Sequence, residues 1–183
     1  MGKTKDNLKA RHDLEDMGIR KRLHSKNCGI KSVYMPPACF TMNKEHKNIF
    51  RKVLKNVKVP DGYASNISRR VNLKDCNITG LKSHNNHILM QQLLPLAIRR
   101  TLPKNMSTSL IELSNFFGQL CSMVMTASDF ESLQDYIAII LCHLEKIFSL
   151  SFFDMLEHLP IHLAEETKLA GPVQYCWMYC IER

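Results

Sequence analysis

Ser128-Asp129-Phe130-Glu131, followed by Leu133, Ile137, Ile140, Leu141, Leu144 and Phe148, is the stretch that decides the fold. Ser at 128 with Glu at 131 has the spacing of a capping box, in which two side chains satisfy otherwise orphaned N–H groups at a helix start. The apolar residues that follow recur every three or four positions, which is the period of one buried helix face. On the N-terminal side, Leu110, Ile111, Leu113, Phe116, Phe117, Leu120 and Val124 predict a second strong helix over 107–126. On the C-terminal side, Ser151 can cap a third from Phe152 to about Lys168, interrupted near Pro160. Gly171-Pro172 stops it, and an amphipathic end runs from Val173 to Arg183.

The first half reads differently. His87 to Arg100 is apolar almost all round, and Pro95 should kink or split it. Asn43 can cap a helix in which Ile49, Phe50, Val53, Leu54 and Val57 fall at helical spacing while lysines fill the other face. Residues 6–24 have a thin apolar stripe that Gly18 weakens. Pro60-Asp61-Gly62 is a turn, and residues 60–82 read as irregular or as one short helix. Strand alternation is not convincing anywhere, and there is no internal repeat. The expected class is mainly α: an irregular helical bundle with a basic N-terminal helical extension. Its divisions are a basic region over 1–83, the bundle over 84–170 and a truncated amphipathic end over 171–183.

Charge separates along the same line. Residues 1–104 hold 22 of the 25 Lys and Arg and 7 of the 17 Asp and Glu, a net of +15; residues 105–183 carry a net of −7. An asymmetry of this size implies an anionic partner for the first half, or docking of one half on the other. The longest apolar runs are too short to span a bilayer, and the charged N-terminus has no secretory h-region. Seven scattered cysteines do not form a disulfide framework. Cys121 and Cys142 read as small core hydrophobes. These features imply an intracellular protein with no membrane partner; the expected location is the nucleus, and no small-molecule ligand is expected.

Candidate chemistry is sparse. Gly2-Lys3-Thr4 ends like a phosphate-binding loop but lacks the upstream glycine and strand. The His84/His87, His158/His162 and Cys176/Cys180 pairs each fall short of a four-ligand zinc set, and Pro160 breaks the second, so no metal site is assigned. Acidic residues such as Glu112, Asp129, Glu131, Asp135 and Glu157 fall on polar helix faces. The basic region remains. Lys44, Lys47, Arg51, Lys52, Lys55 and Lys58 recur along one helix, with Arg69 and Arg70 nearby, which suits non-specific contact with DNA phosphates.

Ten strings stand in order along the chain, among them Asp16-Met17-Gly18-Ile19-Arg20, Met35-Pro36-Pro37-Ala38-Cys39-Phe40, Val59-Pro60-Asp61-Gly62-Tyr63, His158-Leu159-Pro160-Ile161-His162-Leu163 and Trp177-Met178-Tyr179. Together they resemble a plant domain of unknown function found downstream in transposases of the CACTA (En/Spm) type. The resemblance implies a transposon-derived fragment of a larger enzyme, whose RNase H-like domain would bind two divalent metals through acidic residues. It implies Glu182 as the candidate third catalytic acid, with the first two supplied by a separate catalytic domain of the transposase. The chain departs from the family with Asn85 where Asp is usual and Cys176 where Arg is usual, which points to a truncated, degenerate copy. The expectation is therefore no enzyme and no cofactor for this chain alone, with divalent metal only if a catalytic domain completes it. The competing expectation is a helical protein–protein interaction module with no nucleic-acid role.

Overall fold

The computed structural model describes residues 6–29, 32–58, 67–73, 77–81, 83–122, 125–148, 152–153 and 159–171. Among them the chain is mainly helical. Helix α1 spans Leu8–Asp16, α2 Lys44–Asn56, α3 Ser83–Ile88, α4 Leu94–Ile98, α5 Lys104–Leu120, α6 Ala127–Ile147 and α7 Pro160–Ala170. Two hairpins, which the sequence does not announce, pair β1 (Lys26–Asn27) with β2 (Val33–Tyr34) and β3 (Val71–Asn72) with β4 (Asn77–Ile78). Strands of two residues are too short to express an alternation, so their pattern is silent.

The deciding helix is α6, and its start differs from expectation. Thr126, not Ser128, is the N-cap, and the box closes with Asp129 rather than Glu131. The Thr126 N–H donates to Asp129 Oδ2 at 2.7 Å, and the Asp129 N–H returns to Thr126 Oγ1 at 3.4 Å. Both pairs have the same spacing, but Thr126 is the residue with extended backbone, as an N-cap must be. At 21 residues α6 is about 31 Å long. It packs between α5 and α7.

Their shared core holds Met106, Phe116, Leu120, Leu133, Ile137, Ile140, Leu144 and Ala164, and Phe116, Ile137 and Ile140 are fully buried. Buried hydroxyls of Ser109, Ser114 and Thr167 bond back to the carbonyls of Asn105, Leu110 and Leu163, so they add no unmet polar group. Cys142 is exposed and Cys121 only half-buried, so Cys142 is no part of this core.

A second core gathers Leu54 of α2, Ile67, Val71, Ile88, Leu93 and Ala97. Pro95 splits the apolar run as its missing N–H requires. A five-residue π segment, Leu89–Leu93, follows α3, and α4 opens with Pro95 in its first turn. Gln91 of that segment donates to the Phe117 carbonyl at 3.0 Å, fastening it to α5. Pro160 begins α7, a position where proline loses no bond, and the expected stretch over 154–158 lies outside the described residues. Gly171 ends α7 at φ 85°, a conformation glycine adopts freely.

The N-terminal segment is tied down by arginines. Helix α1 stops at Met17, well short of residue 24, and Gly18 turns the chain with φ 67°. Arg11, 2% exposed, grips Asp6 through two bonds of 2.6 and 2.8 Å and donates to the Leu23 carbonyl at 2.9 Å. That closes the 3-10 turn Lys21–Leu23 back on α1. Arg20 stands in the left-handed region at φ 53° and donates to the carbonyls of Glu145, Ile147 and Phe148 at the end of α6. Phe40 stacks on Phe148 beside it, with ring centroids 5.1 Å apart.

Candidate nucleic-acid interface

Helix α2 starts where Asn43 Oδ1 accepts from the His46 N–H at 2.7 Å, which is the cap the sequence indicates. Its apolar side, through Phe50, Val53, Leu54 and Val57, joins the second core. The eight sequence-selected cations then divide. Lys44, Lys47, Lys52 and Lys58 are exposed, as are Arg69 and Arg70. The ion pairs recorded among the described residues are Arg11–Asp6, His12–Glu15, His143–Glu112 and Lys168–Glu131, and none of these six cations takes part.

Arg51 and Lys55 are committed to the protein itself. Arg51 is 9% exposed and donates to the Lys47 carbonyl at 3.0 Å and to Asn48 Oδ1 at 2.7 Å. The Lys55 ammonium donates to the carbonyls of Ser68 at 2.8 Å and Val71 at 3.2 Å. Those carbonyls belong to the 3-10 turn Ile67–Arg70 and to β3, so Lys55 is what holds Arg69 and Arg70 beside α2. The guanidinium of Arg70 then lies over Gly80, where an added Cβ would stand 3.1 Å from Nη1. The arginine turn is thereby packed against the helix that carries the lysines. Arg99, Arg100 and Lys104 are further exposed cations that the charge pattern of α2 did not bring to notice.

The acidic half is built differently. Between the end of α5 and the start of α6 lies an open cavity of about 490 Å³, lined in part by Gln119, Ser122, Met125, Asp129 and Tyr136. Asp129 is held below the ordinary carboxylate range, chiefly by the Thr126 N–H and then by its hydroxyl. Burial, with Glu112 nearby, pushes the Tyr136 phenol up. Both shifts carry the groups further from neutral pH, where a general acid or base works best. Burial also pushes the Cys121 thiol up, the reverse of an activated nucleophile.

Among the described residues no three His, Cys, Asp or Glu side chains cluster as metal ligands, and no helix is long and apolar enough to cross a membrane. His162 is exposed on α7, and His87 shares a 3.1 Å bond with Gln91. Glu182, Cys176, Cys180, His158 and the Gly2-Lys3-Thr4 string lie outside the described residues.

Residues 120–183 match the family model described as a domain of unknown function, DUF4218, a transposase-associated domain of plants. The match begins at the last residue of α5 and takes in α6 and α7. No curated protein matches the chain, and no solved structure does.

Proposed function

We propose that this chain is a transposon-derived, transposase-associated module of the CACTA (En/Spm) type that holds the DNA backbone and does not itself cut it. The supporting observation is the surface formed by Lys44, Lys47, Lys52 and Lys58 with Arg69 and Arg70, exposed and outside every ion pair recorded among the described residues. Free cations on a fixed helix release counterions from DNA without reading bases, so binding should be strong at low salt and indifferent to sequence. The transposase-associated match at 120–183 supplies the context in which such a grip is useful. Strand cleavage belongs to a separate catalytic domain, to which Glu182 would contribute the third acid, with divalent metal entering only there.

The test is fluorescence anisotropy of a labelled duplex against salt. The wild-type chain should bind unrelated duplexes equally, without nicking them in Mg²⁺, and Lys44→Ser with Lys47→Ser and Lys52→Ser should flatten the log–log salt slope by about 3. No binding at 50 mM salt would remove the DNA-holding role, and metal-dependent nicking by the purified chain would remove the non-catalytic one. A second reading, a helical protein-interaction module, is favoured by Leu169 and Ile139, which are 84% and 53% exposed on the acidic bundle. It predicts no binding of duplex DNA at low salt, and loss of association with a transposase catalytic domain in Ile139→Lys with Leu169→Lys.

A further inference from the structure

We infer that the corner joining α4 to α5 is a second DNA-backbone contact, made by Arg99, Arg100 and Lys104. This rests on the DNA-holding reading of α2. The three cations fall within six positions, and all are exposed. The turn that displays them is rigid: Thr101, 1% exposed, donates through Oγ1 to the carbonyls of Ala97 at 3.1 Å and Ile98 at 3.3 Å. The main-chain N–H groups of Thr101 and Leu102 also bond to the Ile98 carbonyl. These bonds define the backbone path that carries Arg99 and Arg100.

Nothing local neutralises them. Residues 76–111 contain no Asp or Glu at all, so α3, the π segment, α4 and the first two turns of α5 carry no carboxylate. The only acid on α2, which packs against α4, is Glu45 in its first turn. No ion pair among the described residues includes Arg99, Arg100 or Lys104. Two exposed arginines and a lysine outside the recorded ion pairs suit a phosphate backbone, since a guanidinium can fork onto phosphate oxygens. Because α4 packs on both α2 and α5, the corner and the α2 face are parts of one scaffold.

The experiment measures duplex binding across a salt series for the full chain and three variants. Arg99→Ser with Arg100→Ser and Lys104→Ser should lower the salt slope by about 2 to 3 and weaken binding at least tenfold at 100 mM salt. Arg99→Lys with Arg100→Lys keeps the charge and should retain most of the slope, which separates a phosphate contact from a folding defect. If the corner variant keeps the full slope while the α2 variant loses it, this inference is overturned and the reading of α2 stands. If neither variant changes the slope, the reading of α2 falls as well. Displacement of the bound duplex by polyglutamate, charge for charge as effective as DNA, would overturn the assignment to a phosphate backbone.

Discussion

The guanidinium of Arg20 donates to the carbonyl of Phe148, the residue that ends α6 and lies 128 positions further along the chain. The same guanidinium reaches the Glu145 and Ile147 carbonyls, so three of the four orphan acceptors at that helix end are met by one side chain. A cation is also favoured there by the helix dipole. Desolvation lowers the Arg20 pKa from its ordinary value, while Cys39 and Glu145 oppose the shift. The basic half of the chain is thereby fastened to the acidic half by main-chain bonds rather than by a charge pair. Arg20 adopts a left-handed backbone to do this, which costs a non-glycine residue about 1–2 kcal/mol.

That cost makes a two-variant comparison informative. Arg20→Ala should destabilise the chain by about 1–2 kcal/mol in urea unfolding, since the cap is lost and the strain is kept. Arg20→Gly should lose about 1 kcal/mol less, because glycine accepts φ 53° without penalty. Equal losses would mean that the backbone at position 20 relaxes once the guanidinium is gone.

Position 126 against position 128 tests the start of α6. Thr126→Ala should cost about 1 kcal/mol, and Ser128→Ala only a few tenths. The reverse order would restore the pattern anticipated from Ser128 and Glu131.

Asp129 makes the same cap sensitive to pH. Its folded-state pKa is lowered from 3.8, so its contribution is complete above that value and is lost as pH falls through the lower folded pKa. Thermal melts from pH 6 to pH 2 should therefore show a smaller acid-side decline in Asp129→Asn than in the wild type, and parallel curves would contradict the cap.

Lys52 and Lys55 should part company although they are three residues apart on one helix. Lys55→Met strands the carbonyls of Ser68 and Val71 and should cost about 1–2 kcal/mol. Lys52→Met should leave the urea midpoint unchanged and reduce DNA affinity, and a midpoint shift from Lys52 would assign it a structural partner instead.

Phe116→Ala should remove about 3–5 kcal/mol, a large share of the stability of a domain this size. Phe116 lies on α5, outside the stretch matched at 120–183, yet it is fully buried in the core of α6. A fragment beginning at residue 120 should consequently show no cooperative melt by circular dichroism, because Leu133, Ile137 and Ile140 would lose their cover.

Much of this was legible where periodicity and caps agree. Asn43 with its apolar row located α2, and Pro95 marked a break that became a π segment. Other features were not legible, for identifiable reasons. Two boxes with the same spacing, Thr126/Asp129 and Ser128/Glu131, overlap in sequence, and only backbone geometry selects one. The row of α2 cations looked uniform because charge spacing cannot reveal that Arg51 and Lys55 find carbonyls and an amide within reach. Arg20 was hidden most deeply, since its partners are main-chain atoms far along the chain, and backbone acceptors leave no trace in residue identity.

The locked turn at Thr101 has a mechanical consequence. It joins a helix of one hydrophobic core to a helix of the other across residues 99–103, with Thr101 and Leu102 both bonded back to the Ile98 carbonyl. The two cores thus share one run of packed helices, from α2 through α4 and α5 to α6, so a substitution that loosens this turn should lower the stability of both together.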